Sequence, residues 1–86
     1  MGNPQRRQGL AWRKLADEAV IVELKTDRLF HQLNDVGAFI WNLCDGKNSD
    51  TDIEALVAEE FEVPSETAKE DVQEFLQSLR TMNLLE

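Results

Sequence analysis

The first candidates for chemistry in this 86-residue chain are its single histidine and its single cysteine. His31 has no second histidine and no acid at a fixed spacing beside it, so the sequence predicts neither a catalytic dyad nor a set of metal ligands. Cys44 lies near the end of a predicted helix, whereas a thiol nucleophile needs a helix N-terminus or a cation to lower its pKa. We therefore predict that the cysteine is structural and that the histidine is structural or lines a groove.

The remaining reactive side chains form no recognisable site. Three acids, at positions 59, 60 and 62, surround the end of a predicted helix, and paired carboxylates perform acid–base chemistry only inside a pocket. The four glycines are too scattered to form a phosphate-binding loop. The sequence thus predicts a protein that is not an enzyme and that holds no metal and no cofactor.

Composition predicts one small globular domain, because 42% of the residues are apolar and 30% are charged. No apolar run approaches the roughly 20 residues that span a bilayer, and no signal peptide is evident. A single cysteine excludes an internal disulfide. We expect a cytoplasmic protein that does not enter membranes.

Charge divides the chain into two unequal parts. Residues 1–28 contain six bases and four acids, a net charge of +2, whereas residues 29–86 contain three bases and thirteen acids, a net charge of −10. Nucleic acids bind proteins mainly through cations that neutralise phosphates. The second part therefore disfavours a nucleic-acid partner and favours a neutral or basic one, such as a peptide.

The first third of the chain predicts strands. Residues 1–9 lack periodicity and are predicted to form a mobile tail ahead of a single domain over residues 10–86. Strands are predicted over residues 10–15, 19–24 and 29–33, the last two joined by the polar link 25–28 as an antiparallel hairpin. The third strand should place Leu29, His31 and Leu33 on one face.

The first predicted helix has a defined start and end. Asn34 is a suitable N-cap, and Asp45-Gly46 marks the C-terminus. Trp41 lies beside the apolar stripe, so it either flanks the core against the sheet or is a partly exposed aromatic at a partner interface. The stripe itself recurs at helical spacing and consists of Val36, Phe39, Ile40 and Leu43.

Two further helices follow. Thr51 and Glu54 have the spacing of a capping box, which opens a helix that ends near Glu60. Ser65 is predicted to cap a last helix over about residues 66–82, and Asn83 to stop it in a left-handed conformation. The residues predicted to face the core are Ile53, Leu56, Val57 and Phe61, then Ala68, Val72, Phe75, Leu76 and Leu79, with Leu84 and Leu85 as a closing apolar cap. Strands followed by helices predict an α+β, winged-helix-like domain.

The order of short motifs in this chain resembles the PqqD-like family. Leu33-Asn34, Ile40-Trp41 and Asp45-Gly46 occur in the family's order, with a small-residue stretch after the first. The resemblance extends from about Ala19 to Leu85, although Asn83 stands where the family often has glycine. The further matching positions are Ile53, Leu56, the Phe61-Glu62-Val63 join, Asp71-Val72, Phe75-Leu76, Leu79 and Leu84-Leu85.

The resemblance implies a winged-helix peptide chaperone of the kind called a RiPP recognition element. Such proteins bind the leader of a ribosomally made precursor peptide and present it to a modifying enzyme, often a radical SAM enzyme, as in pyrroloquinoline quinone biosynthesis or in lasso-peptide pathways. By the same resemblance, the leader adds as a strand along the third strand and lies between it and the last helix. The residues implied to bind the peptide are Leu29, Phe30, His31, Gln32 and Leu33 on the strand, and Asp71, Phe75 and Ser78 on the helix.

Two other functions fit the predicted architecture. One is a winged-helix DNA-binding regulator, but the last helix carries four acids against two bases. The other is a small dimerisation module, which light scattering after size exclusion would reveal. For the peptide-binding function we expect a monomer or a weak homodimer.

We predict that duplex DNA binds this chain only weakly, because the helical part carries ten more acids than bases. A gel-shift assay at low salt is the strictest test, since phosphate contacts are strongest there. Sub-micromolar binding under those conditions would support the DNA-binding regulator instead.

Overall fold

Three antiparallel strands precede three helices in the computed structural model, which describes residues 3–16, 18–23 and 30–86. This arrangement confirms the predicted α+β class. Leu24, Leu29, the link 25–28 and position 17 of the first turn lie outside the described residues. The elements are β1 (Leu10–Leu15), β2 (Glu18–Glu23), β3 (Phe30–Leu33), α1 (Asp35–Leu43), α2 (Asp50–Glu60) and α3 (Ser65–Thr81).

The sheet has the order β1-β2-β3, so β3 lies at one of its edges. Ile21 of β2 pairs with Trp12 of β1 and with His31 of β3, and directly paired residues lie on the same face of an antiparallel sheet. Ala19 pairs with Leu33 and shares that face. Ala19, Ile21 and Leu33 are buried, so this face covers the core, and the predicted common face of His31 and Leu33 is confirmed.

Helix α1 begins as the sequence predicted. The Asn34 side-chain oxygen accepts a hydrogen bond from the Gly37 backbone N–H at 2.8 Å. The predicted apolar stripe is only partly correct, because Ile40 is the one member of the stripe that is buried. Gly37, Ala38, Ile40 and Trp41 are buried, whereas Val36, Phe39 and Leu43 are half-buried. A helix covered on more than one side buries a wider arc than its most apolar stripe.

The N-cap of helix α2 lies two residues earlier than predicted. Ser49 is the N-cap, and Ser49 and Asp52 form the reciprocal hydrogen bonds of a capping box, so the prediction for Thr51 and Glu54 was wrong. The Ser49/Asp52 pair and the Thr51/Glu54 pair have the same spacing, and the Ser49/Asp52 pair forms the capping box. Ile53 and Val57 are buried as predicted, but Leu56 is 37% exposed.

Helix α3 contains Ser65 as its first residue, so the predicted serine cap was also wrong. Pro64 occupies the N-cap position and makes no side-chain hydrogen bond. At the other end Asn83 is left-handed with a φ of 60°, as predicted, and the Leu84 N–H donates to the Leu79 carbonyl at 2.9 Å. Ala68, Val72, Leu76 and Leu79 are buried beneath the closing Leu84 and Leu85.

The segment before β1 packs against the domain, so its described residues do not form the predicted tail. Gln5 forms an isolated antiparallel bridge with Asp45, and Arg6 forms another with Leu85. The Arg7 N–H donates to the Leu84 carbonyl at 3.0 Å. These backbone bonds join the N-terminal segment to the end of α1 and to the C-terminus.

Arg6 connects this segment to the two tryptophans. Its guanidinium donates to the carbonyls of Trp41 at 2.8 Å and of Asn42 at 3.0 Å, at the negative end of α1. It also lies 5.1 Å from the centre of the Trp12 ring, which meets Trp41 edge-on at 6.4 Å. Trp41 is fully buried, which favours its predicted role as a core residue over that of an exposed interface residue.

We predict that Arg6→Ala destabilises the domain by about 1–2 kcal/mol, because it removes charge-assisted hydrogen bonds and a cation–π contact. Urea unfolding followed by tryptophan fluorescence measures the change. Arg13→Ala is the matched control, since Arg13 is exposed on β1 and its removal changes the net charge equally. Equal free energies of unfolding for the two variants would contradict the anchoring role of Arg6.

Candidate functional site

The free edge of β3 is the first element of the candidate site. Within the described residues β3 pairs only with β2, so its other side presents backbone N–H and C=O groups without a strand partner. Such an edge accepts any extended chain that supplies complementary groups. Asn34 links this strand directly to α1.

A groove of about 350 Å³ lies between α1 and α3. One wall comes from Asn34 and the first half of α1, and the other comes from α3. The groove therefore begins where β3 ends. The lining residues are Asn34, Val36, Gly37 and Ile40 on the first wall, and Asp71, Glu74, Phe75 and Ser78 on the second.

The two walls differ in chemistry. Three of the first wall's residues, Val36, Gly37 and Ile40, are apolar, whereas α3 presents two carboxylates. Asp71, Phe75 and Ser78 are spaced by four and three residues, so they share one face of α3, with Glu74 beside them. Neither Asp71 nor Glu74 has an ion-pair partner in the part of the chain that the structure describes. The groove thus combines apolar surface with negative charge.

The family of coenzyme PQQ synthesis protein D (PqqD) matches residues 18–85, which is most of the chain. The chain belongs to the PqqD family. No curated protein matches it significantly. Its structure is similar to that of TbiB1 in complex with the TbiA(beta) leader peptide, with a TM-score of 0.84 and 27% identity over 95% of this chain and 94% of that one.

A second solved structure shares the fold of this PqqD-family domain. It is the lasso peptide synthetase B1 complexed with the leader peptide, with a TM-score of 0.84 and 20% identity. The match covers 98% of both chains. At this level of identity, the likeness concerns the fold alone.

The PqqD-family fold brings together the three helical residues predicted for the site. Asp71, Phe75 and Ser78 all line the groove, the first and last exposed and Phe75 half-buried. Of the predicted strand residues, His31, Gln32 and Leu33 do not line this cavity but lie on β3, which ends beside it. The position of Leu29 lies outside the described residues.

The strand residues differ in their surroundings. His31 is half-buried on the core face of the sheet, and Leu33 is buried, so Leu33 offers its backbone but not its side chain to a ligand. Gln32 is exposed, and its side chain donates to the Glu18 carboxylate of β2 at 2.6 Å. Phe30 is the first residue of β3.

Sequence reasoning did not identify five of the residues that line the groove as site residues: Asn34, Val36, Gly37, Ile40 and Glu74. Two of them carried a usable signal. Gly37 is a glycine inside a helix, where alanine is more stable by roughly 0.5–1 kcal/mol, so its presence indicates a close approach. Glu74 follows Asp71 by three residues and therefore lies on nearly the same face of α3.

A second cavity, of about 290 Å³, lies on the opposite side of α1. Phe39 and Phe61 meet edge-on there, with ring centres 5.4 Å apart. Trp12 and the charged residues Lys14, Asp35 and Glu60 also line it. Helix α1 is therefore a wall of two separate cavities.

No reactive group of the described residues stands out at either cavity. Cys44 is fully buried, its thiol donates to the Ile40 carbonyl at 3.2 Å, and burial raises its pKa to about 12. Within residues 3–16, 18–23 and 30–86, no three His, Cys, Asp or Glu side chains group as a metal site would require. In the same ranges no helix has the length and apolarity to cross a membrane.

We predict that the Cys44 thiol resists a thiol-specific reagent at pH 8 until the protein unfolds, because the neutral form is held in the core. The pKa rises from a model-peptide value of 9.0 to about 12 on folding, so the thiol's contribution to stability is complete below about pH 9 and disappears as the pH rises toward 12.

Cys44→Ser is the matched variant, since its hydroxyl can also donate to the Ile40 carbonyl but does not titrate. The difference in free energy of unfolding between wild type and variant should shrink from pH 8 to pH 11. A constant difference over that range, or rapid labelling of the native protein, would show that the thiol is not buried as described.

Proposed function

We propose that this chain is a RiPP recognition element that binds the leader of a ribosomally made precursor peptide and presents it to a modifying enzyme. The observation that carries the proposal is the continuity between the free edge of β3 and the groove between α1 and α3. Membership of the PqqD family and the likeness to TbiB1, which was solved with a leader peptide, support it.

In the proposed complex, the leader adds to the sheet as a fourth strand along residues 29–33. Strand addition satisfies the backbone groups at the edge of β3 through main-chain hydrogen bonds, which give affinity without requiring a particular sequence. Side chains of the leader then supply specificity. Alternate residues of the added strand point to the core side of the sheet, toward the groove.

The groove selects the side chains that enter it. An apolar residue of the leader packs against Val36 and Phe75, and a basic residue lies near Asp71 or Glu74. The net charge of −10 over residues 29–86 favours a basic or neutral peptide over an acidic one. We expect a dissociation constant of about 0.1–10 micromolar, because ordering a disordered leader costs about 2–5 kcal/mol.

The proposed function is binding, and the chemistry belongs to the partner. Within the described residues no nucleophile, metal-binding group or paired acid and base is assembled, and the only cysteine is buried. We propose a modifying enzyme such as a radical SAM protein as that partner. The four acids of α3 disfavour the DNA-binding alternative.

We predict that a precursor leader peptide that binds this chain perturbs the backbone amide NMR signals of β3 and of the groove residues on α3. The physical reason is that new hydrogen bonds form at the strand edge and new contacts form around Phe75. Titration of the isotope-labelled chain with the synthetic leader measures the effect. Perturbations confined to residues 51–60 of α2, with β3 silent, would contradict the proposed site.

Proline variants test strand addition itself. In an antiparallel strand, successive N–H groups alternate between the two sides, so of His31 and Gln32 one donates to β2 and the other faces outward. Proline at the outward position removes a free donor and leaves the ladder intact. We expect one of His31→Pro and Gln32→Pro to keep the fold and lose binding, while His31→Ala and Gln32→Ala still bind. If the proline variant that keeps the fold binds the peptide as well as the wild type does, strand addition at the edge of β3 is excluded.

A further inference from the structure

Gly37 of α1 lies against the Phe75 ring of α3, which lines the other wall of the groove. A Cβ atom built on Gly37 would lie 3.0 Å from Cε1 and 3.2 Å from Cζ of the Phe75 ring. It would also lie 3.2 Å from the Asn34 side-chain oxygen, which caps the helix. Carbon atoms in optimal contact are about 3.5–4.0 Å apart, so alanine fits here only if the ring gives way by a few tenths of an ångström.

Conformational freedom does not explain the glycine. Gly37 lies in the interior of α1, and the glycines with positive φ are Gly9 and Gly46 instead. A glycine inside a helix is destabilising relative to alanine. The missing side chain is therefore explained by the space that the Phe75 ring occupies.

The direction in which the ring would move is fixed by its surroundings. Phe75 is half-buried and lines the groove, whereas Leu76, next to it in α3, and Ile40, on the α1 wall of the groove, are fully buried. A close-packed core resists compression. A side chain at position 37 would therefore push the Phe75 ring outward, into the groove, and make the groove shallower.

We propose that Gly37 is a positioning residue that sets the depth of the groove through Phe75 and so selects a large apolar side chain of the bound peptide. This inference rests on the proposed peptide-binding function and adds its specificity. The groove that results has apolar surface from Val36, Ile40 and Phe75, with the carboxylates of Asp71 and Glu74 beside it. The peptide it fits has a bulky apolar residue next to a basic one.

The test begins with a random-sequence peptide library displayed on phage and selected against the wild-type chain. The wild type should enrich peptides with a large apolar residue beside a basic one. Gly37→Ala should bind the best of these peptides about tenfold more weakly, equivalent to roughly 1.4 kcal/mol. When selected against the same library, it should instead enrich smaller apolar residues at that position.

The double variant Gly37→Ala/Phe75→Leu provides the rescue, because leucine lacks the two ring atoms that the new Cβ would crowd. It should recover most of the affinity for the wild-type peptides. Phe75→Leu alone should deepen the groove and enrich the bulkiest residues. If Gly37→Ala does not fold, Phe75→Leu and the double variant still test the inference. If the ring sets the depth of the groove, replacing it must change the size of the apolar residue that the selected peptides carry.

Asn42→Ala is the matched control on α1, because Asn42 is exposed and lines the second cavity, not the groove. It should leave the selected peptides unchanged. If the wild type selects peptides at the groove but Gly37→Ala selects the same ones with equal affinity, the inference about Gly37 is wrong. If the wild type selects no peptide at all, the proposed function itself fails.

Discussion

The burial of α1 is the constraint on which the rest of this structure depends. Nine residues form the helix, and its buried positions face in several directions. Trp41 is covered by Trp12 and by the Arg6 guanidinium, while Gly37 meets the Phe75 ring of α3. A chain of 86 residues buries only about 60–65% of its unfolded surface, so few other elements are available to form a core. Each neighbour of α1 therefore contributes both to stability and to the shape of a cavity.

The same packing explains how the N-terminal segment and the groove are related. Arg6 holds the C-terminal end of α1 through two carbonyls, and Asn34 holds its N-terminal end through the cap. With both ends fixed, the first turn of α1 becomes a rigid wall that continues directly from β3. A binding surface built on a fixed strand edge and a fixed helix loses little conformational entropy when a ligand arrives.

The charged residues and the buried residues of this chain have different roles. The described acids that line the groove remain at the surface, and the core contains no buried charged residue within the described ranges. In the proposed complex, electrostatic attraction acts mainly on the encounter with a basic peptide and on its selection, while apolar contact and strand pairing provide affinity. This division suits a domain that recognises a peptide.

The sequence by itself determined the element order, the α1 cap, the left-handed end of α3 and the family, because these follow from local spacing and residue type. The resemblance to the family also predicted Asp71, Phe75 and Ser78 as peptide-binding residues, and all three line the groove. Only the tertiary structure decided that Ser49 rather than Thr51 caps α2, that Arg6 covers Trp41, and that Gly37 faces Phe75. Arg6 and Trp41 are separated by 35 residues, and no local pattern encodes which distant side chain will cover a given position. Contacts of that kind depend on how the elements pack together, which periodicity along one element does not specify.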